Sequence, residues 1–399
     1  MPLAVYVLGL SIFAQGTSEL MLAGLLPELS ADLHVSIPAT GLLISAFAVG
    51  MLVGAPVLAV ATLTWSRCTA LLLFLAVFAL THVAGALTPN YAVLLITRIV
   101  GAFVYAGFWS VAAVTVVALV PATARARAMS VVTGGLTIAT IVGLPAGTVM
   151  GQHLGWRTAF WTVAGLCVVA MAGVLATIPA GRPDPATTPR LRDELRVLAN
   201  SRLWLAFGTT ALVTTTILVV FSYLAPLLIQ TTGLSPSAVP GVLALYGLGS
   251  FIGITLGGRT ADALPFHTLF TGIAGLSVLS AALAITAGSP VLAVSVIALL
   301  GGFGFATNPA LNARVFSLAG DAPTLATATN FSAFNVGITV GPWLGGLAID
   351  AGAGYPALGW IAAATGLTAL GTVVVAALLP VSSPDHSGRC ATDRSRGAG

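Results

Sequence analysis

The chain has 399 residues, of which 57% are hydrophobic and only 7% charged, against about 25% charged in an ordinary soluble domain. So apolar a polypeptide cannot cover a globule with polar surface, which excludes a water-soluble fold and makes lipid its solvent. The net charge is +4, and all fifteen basic residues are arginines in short clusters, so there is no contiguous basic face for nucleic acid.

Taken in chain order, apolar runs long enough to cross about 30 Å of hydrocarbon fall at 4–26, 38–62, 69–87, 91–119, 129–153 and 157–178. After a polar stretch come 203–229, 239–262, 266–287, 291–313, 323–349 and 355–380. Twelve spans predict an all-α integral membrane protein, because open strand edges cannot face lipid. The first run lacks a basic leader and is too long for a signal peptide, so it is expected to be a retained span. The three cysteines, Cys68, Cys167 and Cys390, are far apart with no CxxC or Cys/His cluster, implying neither a disulfide framework nor a metal site.

Loop charges test the count through the positive-inside rule. With the amino terminus in the cytoplasm, inner loops and the tail hold Arg67, Arg125, Arg127, Arg182, Arg190, Arg192, Arg196, Arg202, Arg259, Arg314, Arg389, Arg394 and Arg396. That is thirteen of the fifteen, while the outer loops hold Glu28, Asp32 and Asp350. Both termini are therefore expected to be cytoplasmic.

The expected organisation is a six-helix unit over 1–178, a linker over 179–202, a second six-helix unit over 203–380 and a polar tail over 381–399. In the linker Leu191, Leu195 and Leu198 fall at helical spacing, which suits either a helix on the inner membrane surface or a solvated connection. The halves echo each other. Gly143, Pro145 and Gly147 of the fifth span correspond to Gly341, Pro342 and Gly345 of the eleventh, and each set follows a Gly-rich stretch, at Gly101 or Gly301. Paired halves of this kind are the plan of many secondary transporters.

Ionisable residues within hydrocarbon are functional candidates by default. Glu19 lies eight residues before Pro27, and Arg98 eight residues after Asn90, so both lie about 12 Å from the same surface. They can form an intramembrane ion pair facing a cavity. That pair can simply pin two helices together, or Glu19 can take up and release a proton while Arg98 stays charged. Gln15 lies one turn before Glu19, and Tyr105 and Trp109 share a helical face with Arg98. Such aromatics suit either a pocket for an amphipathic solute or ordinary packing. Tyr223, Asn308, Asn312 and Asn335 are the polar candidates of the second half, though an amide can equally tie helices together. No HExxH, GxxxxGK[ST] or GxSxG is present, which points away from an enzyme and from ATP as the fuel, and towards an ion gradient.

On these residues the chain resembles the major facilitator superfamily, and within it the twelve-span drug:proton antiporters. The resemblance covers nearly all of 1–380. It is carried by Thr17–Leu33, by Arg98 with Gly101, by Gly143-Leu-Pro145-Ala-Gly147, by Gly155-Trp156-Arg157 and by Phe221-Ser-Tyr223-Leu-Ala-Pro226. Over its length the chain is most similar to the chloramphenicol exporters of actinomycetes. The resemblance implies the major facilitator fold, with two pseudo-symmetric six-helix bundles in a bacterial cell membrane and no cofactor. It further implies a monomer that exchanges a small-molecule drug, chloramphenicol first, for protons coupled through Glu19 and Arg98. Export of a sugar, nucleoside or other metabolite by the same mechanism is the alternative.

The family's motif between spans two and three is eroded here, keeping Arg67 and losing its Asp, whereas the second-half copy retains Arg259 and Asp262. Arg259 and Asp262 are therefore expected to carry more of the inner gate. Asp262→Asn should lower transport at unchanged membrane abundance, measured as solute flux per molecule of protein.

Overall fold

The computed structural model describes residues 1–62, 65–121, 124–179, 200–319 and 323–378. Twelve helices in it are long and apolar enough to cross a membrane. The first six spans are Leu3–Leu33, Ile37–Ala61, Arg67–Leu87, Tyr91–Leu119, Arg125–Leu154 and Trp156–Thr177. The second six are Ser201–Gln230, Val239–Ala263, Pro265–Thr286, Pro290–Ala319, Pro323–Asp350 and Pro356–Leu378. Most of the expected linker, including its three leucines, and the whole expected tail lie outside the described residues.

Proline shapes three of these spans, each in a different way. The first helix was expected to stop before Pro27 but runs through it to Leu33, where His34 turns left-handed (φ 53°) and its N–H caps the Ser30 carbonyl. Glu28 and Asp32, expected in a loop, therefore lie on its last turns. In the fifth span Pro145 offers no N–H to the carbonyl four residues back, and the helix widens into a π-turn over Ala139–Gly143. The seventh span, expected to be continuous, breaks between Phe221 and Leu224 ahead of Pro226.

The two halves pack by one rule. In the first, span 1 packs on 5 and 6, span 2 on 4, and span 3 on 4 and 6. In the second, span 7 packs on 11 and 12, span 8 on 10, and span 9 on 10 and 12. Close glycine-to-carbonyl contacts repeat as well. A Cβ on Gly50 or Gly54 would strike the Ile99 or Phe103 carbonyl, and one on Gly249 or Gly253 would strike the Ala298 or Gly302 carbonyl. All four second-half positions lie the same distance along the chain from their first-half counterparts. The repeat therefore corrects one expectation: Gly101 and Gly301 are not equivalents. Gly101 meets Thr81 and Phe78 of the third span, whereas Gly301 meets the Tyr246 carbonyl of the eighth.

The proline motifs serve the same purpose. Gly143 and Gly147 lie against Thr17 and Met21 of span 1, and Gly341 and Gly345 against Leu218 and Tyr223 of span 7. Small residues let backbones approach where lipid provides no hydrophobic drive between helices.

The halves meet through spans 2 with 11 and 5 with 8. Among the described residues two hydrogen bonds join them, Ser45 Oγ to the Thr339 carbonyl (2.8 Å) and Gln152 Nε2 to the Pro236 carbonyl (2.8 Å). Both lie towards the end of the bundle where the odd-numbered spans finish. At that end Arg157 also bonds Asp32 (2.5 Å) and the Thr88 carbonyl (3.3 Å), and Trp156 bonds Asp32 (3.1 Å), gathering spans 1, 3 and 6.

Gly54→Val should destabilise the protein by roughly 1–3 kcal/mol, the usual cost of overpacking, because the Phe103 backbone cannot give way. Gly371→Ala, where a Cβ meets nothing within 4 Å, should be neutral or slightly stabilising. Thermal unfolding in detergent distinguishes the two.

Candidate functional site

Arg98 is buried halfway along the first half. Its Nη1 donates to Ser18 Oγ (2.8 Å) and its Nη2 to the Ser18 carbonyl (3.1 Å). The guanidinium lies over the Phe47 ring, 4.1 Å from its centroid. A buried charge costs several kcal/mol even after relaxation. Charge-assisted hydrogen bonds return about 1.5–3 kcal/mol each, and a desolvated cation–π contact about 2.

The expected direct ion pair with Glu19 is absent. Among the described residues the one ion pair is Arg157 with Asp32. Counting residues gave Glu19 the right depth but not the right direction, since consecutive side chains on a helix diverge by about 100°. Arg98 meets the Ser18 side. Glu19 is half-buried and lies within the field of the Arg98 charge and beside Tyr105.

Ser18 also bonds the His82 ring from the third span, Oγ to Nε2 at 2.6 Å, and His82 Nδ1 bonds the Phe78 carbonyl at 2.7 Å. His82 is not among the candidates that the sequence singled out. The available signal was an imidazole inside an apolar run, five residues short of its end. Aromatic rings enclose the group: Phe78 and Phe160 lie 4.4 and 5.4 Å from His82, and Phe47 and Phe78 each 6.0 Å from Tyr105.

Several polar atoms here have no protein partner: Gln15 Oε1, Thr17 Oγ, Arg98 Nε and the Tyr105 hydroxyl. The Tyr105 hydroxyl lies beside Glu19 and Trp109. An unpaired buried group costs about 1–3 kcal/mol, and the second half carries such atoms too, at Ser222, Thr232, Arg314 and Asn335.

The second-half candidates behave differently. Asn312 donates to the Asn308 carbonyl (3.0 Å) and accepts from Asn330 (3.0 Å), which accepts from Thr210 (2.9 Å). This chain ties spans 7, 10 and 11, and Asn330 is a member the sequence reading did not select. Asn335 is buried, with Nδ2 on the Phe331 carbonyl and Oδ1 unpartnered. Tyr223, expected in the cavity, is fully buried where the seventh span breaks, its hydroxyl bonded to the Pro342 carbonyl (2.7 Å). Where the first half has Arg98, the repeat places the buried Ile297. The structure thus brings together Gln15, Glu19, Arg98, Tyr105 and Trp109 and leaves the second-half residues apart. Of the gate residues, Arg67 opens the third span and Arg259 is exposed. The Asp262 side chain lies outside the described residues. Among those residues no group of three His, Cys, Asp or Glu could hold a metal.

A twelve-span repeat with a buried arginine in its first half defines an all-helical membrane protein, and sequence comparison gives its class and family. Residues 8–324 match the Major Facilitator Superfamily, and the chain belongs to it. It is 43% identical over 344 residues to a "Chloramphenicol resistance protein" of Streptomyces lividans, covering 86% of this chain and 88% of that one. It is 35% identical to the "Inner membrane transport protein YdhP" of Escherichia coli (strain K12), covering 90% and 93%. Its fold matches a crystal structure of a mutant of the nucleoside transporter NupG with a TM-score of 0.72 at 15% identity, covering 94% and 99%. The protein is a multi-pass transporter and not an enzyme.

Arg98→Lys keeps the charge but cannot make the forked contact with Ser18. Transport should fall by about ten- to a hundredfold, equivalent to ~1.4–2.8 kcal/mol, measured as initial rate at equal membrane abundance.

Proposed function

We propose that the chain exports a small amphipathic drug, chloramphenicol first among candidates, in exchange for protons. The observation that carries this reading is the 43% identity to a protein named for chloramphenicol resistance, extending over 86% of the chain. The first-half site supports it chemically. Glu19 is an acid in a low-dielectric setting beside a fixed cation, so protonation and solute binding can compete for one place. Gln15, Tyr105 and Trp109 offer aromatic and hydrogen-bonding surface to an amphipathic guest.

In the proposed cycle the units 1–178 and 203–380 rock about their shared interface, joined by the linker 179–202 on the cytoplasmic face. With both termini and the tail 381–399 in the cytoplasm of a bacterial cell, the hydrogen-bonded end of the bundle faces outwards. This arrangement is then the inward-facing state, in which Glu19 releases its proton and drug enters. Asn308, Asn312 and Asn335 act from the second half, and the Gly143–Gly147 and Gly341–Gly345 motifs set how closely the rocking helices approach. The unit works as a monomer.

Expression in a drug-sensitive bacterium should raise the inhibitory concentration of chloramphenicol, and Glu19→Gln should return it to that of the empty strain. No shift for any amphenicol removes the substrate. A shift for sugars or nucleosides alone transfers the reading to metabolite export. Resistance from Glu19→Gln equal to the parent removes the proton role.

A further inference from the structure

Hydrogen-bond chemistry fixes two of the bonds around Ser18, and the neighbouring Arg98 charge fixes the third. Arg98 can only donate, so Ser18 Oγ accepts at 2.8 Å. The Phe78 carbonyl can only accept, so His82 Nδ1 carries a proton and donates at 2.7 Å. The remaining contact, 2.6 Å between Ser18 Oγ and His82 Nε2, is completed by the serine hydroxyl proton pointing at the imidazole lone pair. The result is a directed chain from guanidinium to hydroxyl to neutral imidazole to backbone carbonyl. A second positive charge on His82 would stand one hydroxyl away from Arg98 in a buried site, which Coulomb repulsion opposes. The charged and titratable groups around this cluster are Arg98 and Tyr105 from the fourth span and Glu19 from the first. The sixth span presents the Phe160 ring, the second Phe47, and the fifth threonines and glycines.

We propose that Ser18 and His82 form a resting place for the Arg98 guanidinium, with His82 acting as a neutral hydrogen-bond acceptor that keeps the arginine off Glu19 until that carboxyl loses its proton. The inference rests on the proton-coupled reading of Glu19. The geometry shows why a holding device is needed. Ser18 and Glu19 are neighbours on one helix, and Arg98 bonds the first while remaining within the field of the second. Arg98 Nε is buried without a partner, so one donor is already free for a carboxylate. When Glu19 gives its proton to water on its open side, the guanidinium transfers towards the new anion. The serine hydroxyl keeps its bond to Nε2, and no proton passes through the imidazole. His82 is thus a positioning residue, and the helix 1–helix 4 contact differs between the two protonation states.

Three variants test this by efflux at graded pH, each normalised to membrane abundance. His82→Gln keeps an acceptor near the Nε2 position but cannot titrate, so efflux and its pH profile should stay close to the parent. His82→Phe keeps the ring packing against Phe78 and Phe160 but removes the acceptor. Ser18→Ala removes the hydroxyl that accepts from Arg98 and leaves only the weaker bond to the backbone carbonyl. In both, Arg98 is free to settle on Glu19 and hold it as the anion, so the pH above which efflux falls to half should drop by about one unit.

Loss of efflux in His82→Gln as complete as in Glu19→Gln would make His82 a proton carrier and overturn the proposal. An unmoved profile in His82→Phe would reduce His82 to packing. Should His82→Phe fail to fold, Ser18→Ala decides alone, and an unchanged profile there overturns the proposal. If the parent's efflux is independent of pH and matched by Glu19→Gln, the proton-coupled reading fails and this inference with it. If those two behave as that reading requires while Ser18→Ala does not move the profile, only the resting place is lost.

Discussion

Hydrocarbon offers no hydrogen bonds to a stray backbone group and no hydrophobic drive between helices, and this structure depends on how it meets that constraint. Its answer is to bring backbones close. Gly50 and Gly54 seat span 2 on the carbonyls of span 4, and Gly249 and Gly253 repeat the arrangement for spans 8 and 10. Gly143 and Gly147 of span 5 instead make room for the Thr17 and Met21 side chains of span 1, and Gly341 and Gly345 for Leu218 and Tyr223 of span 7. The contacts leave no room for a side chain, so they set the register of each helix pair. That register in turn decides which polar atoms meet at the centre.

Within this scaffold the polar contacts divide into two kinds. The Thr210, Asn330 and Asn312 chain runs unbroken to the Asn308 carbonyl and ties three spans. The Arg98 cluster does not close: it leaves an arginine nitrogen, a tyrosine hydroxyl and a glutamine oxygen unpartnered within a few turns of one another. A network bonded throughout rigidifies its helices, whereas one left incomplete retains a choice of partners.

Much of this was legible in the sequence. Run lengths gave the twelve spans, and counting from Pro27 and Asn90 gave the shared depth of Glu19 and Arg98. What depth could not supply was azimuth, and so the ion pair became a serine contact with the carboxyl turned aside. Tyr223 misled because a break in the seventh span, set by Pro226 downstream, rotates it towards Pro342. The first helix ran seven residues past its expected end because proline within a helix costs one hydrogen bond and need not stop it. His82 escaped notice because its partner lies on a different span, a relation no local pattern encodes. The repeat was visible as a motif, but only the glycine-to-carbonyl contacts gave its register.

That register has an electrical consequence. The second half holds Ile297 where the first holds Arg98, so among the described residues the duplication does not repeat the Arg98 site. On the reading proposed above, and for an exchange of one proton per uncharged cargo molecule, each turnover carries one net elementary charge across the bilayer. The cycle then feels membrane voltage as well as the pH difference, at about 2.3 kcal/mol per 100 mV for that charge. A cell could lose its pH gradient altogether and still, at a resting potential of that size, drive the pump from the field alone.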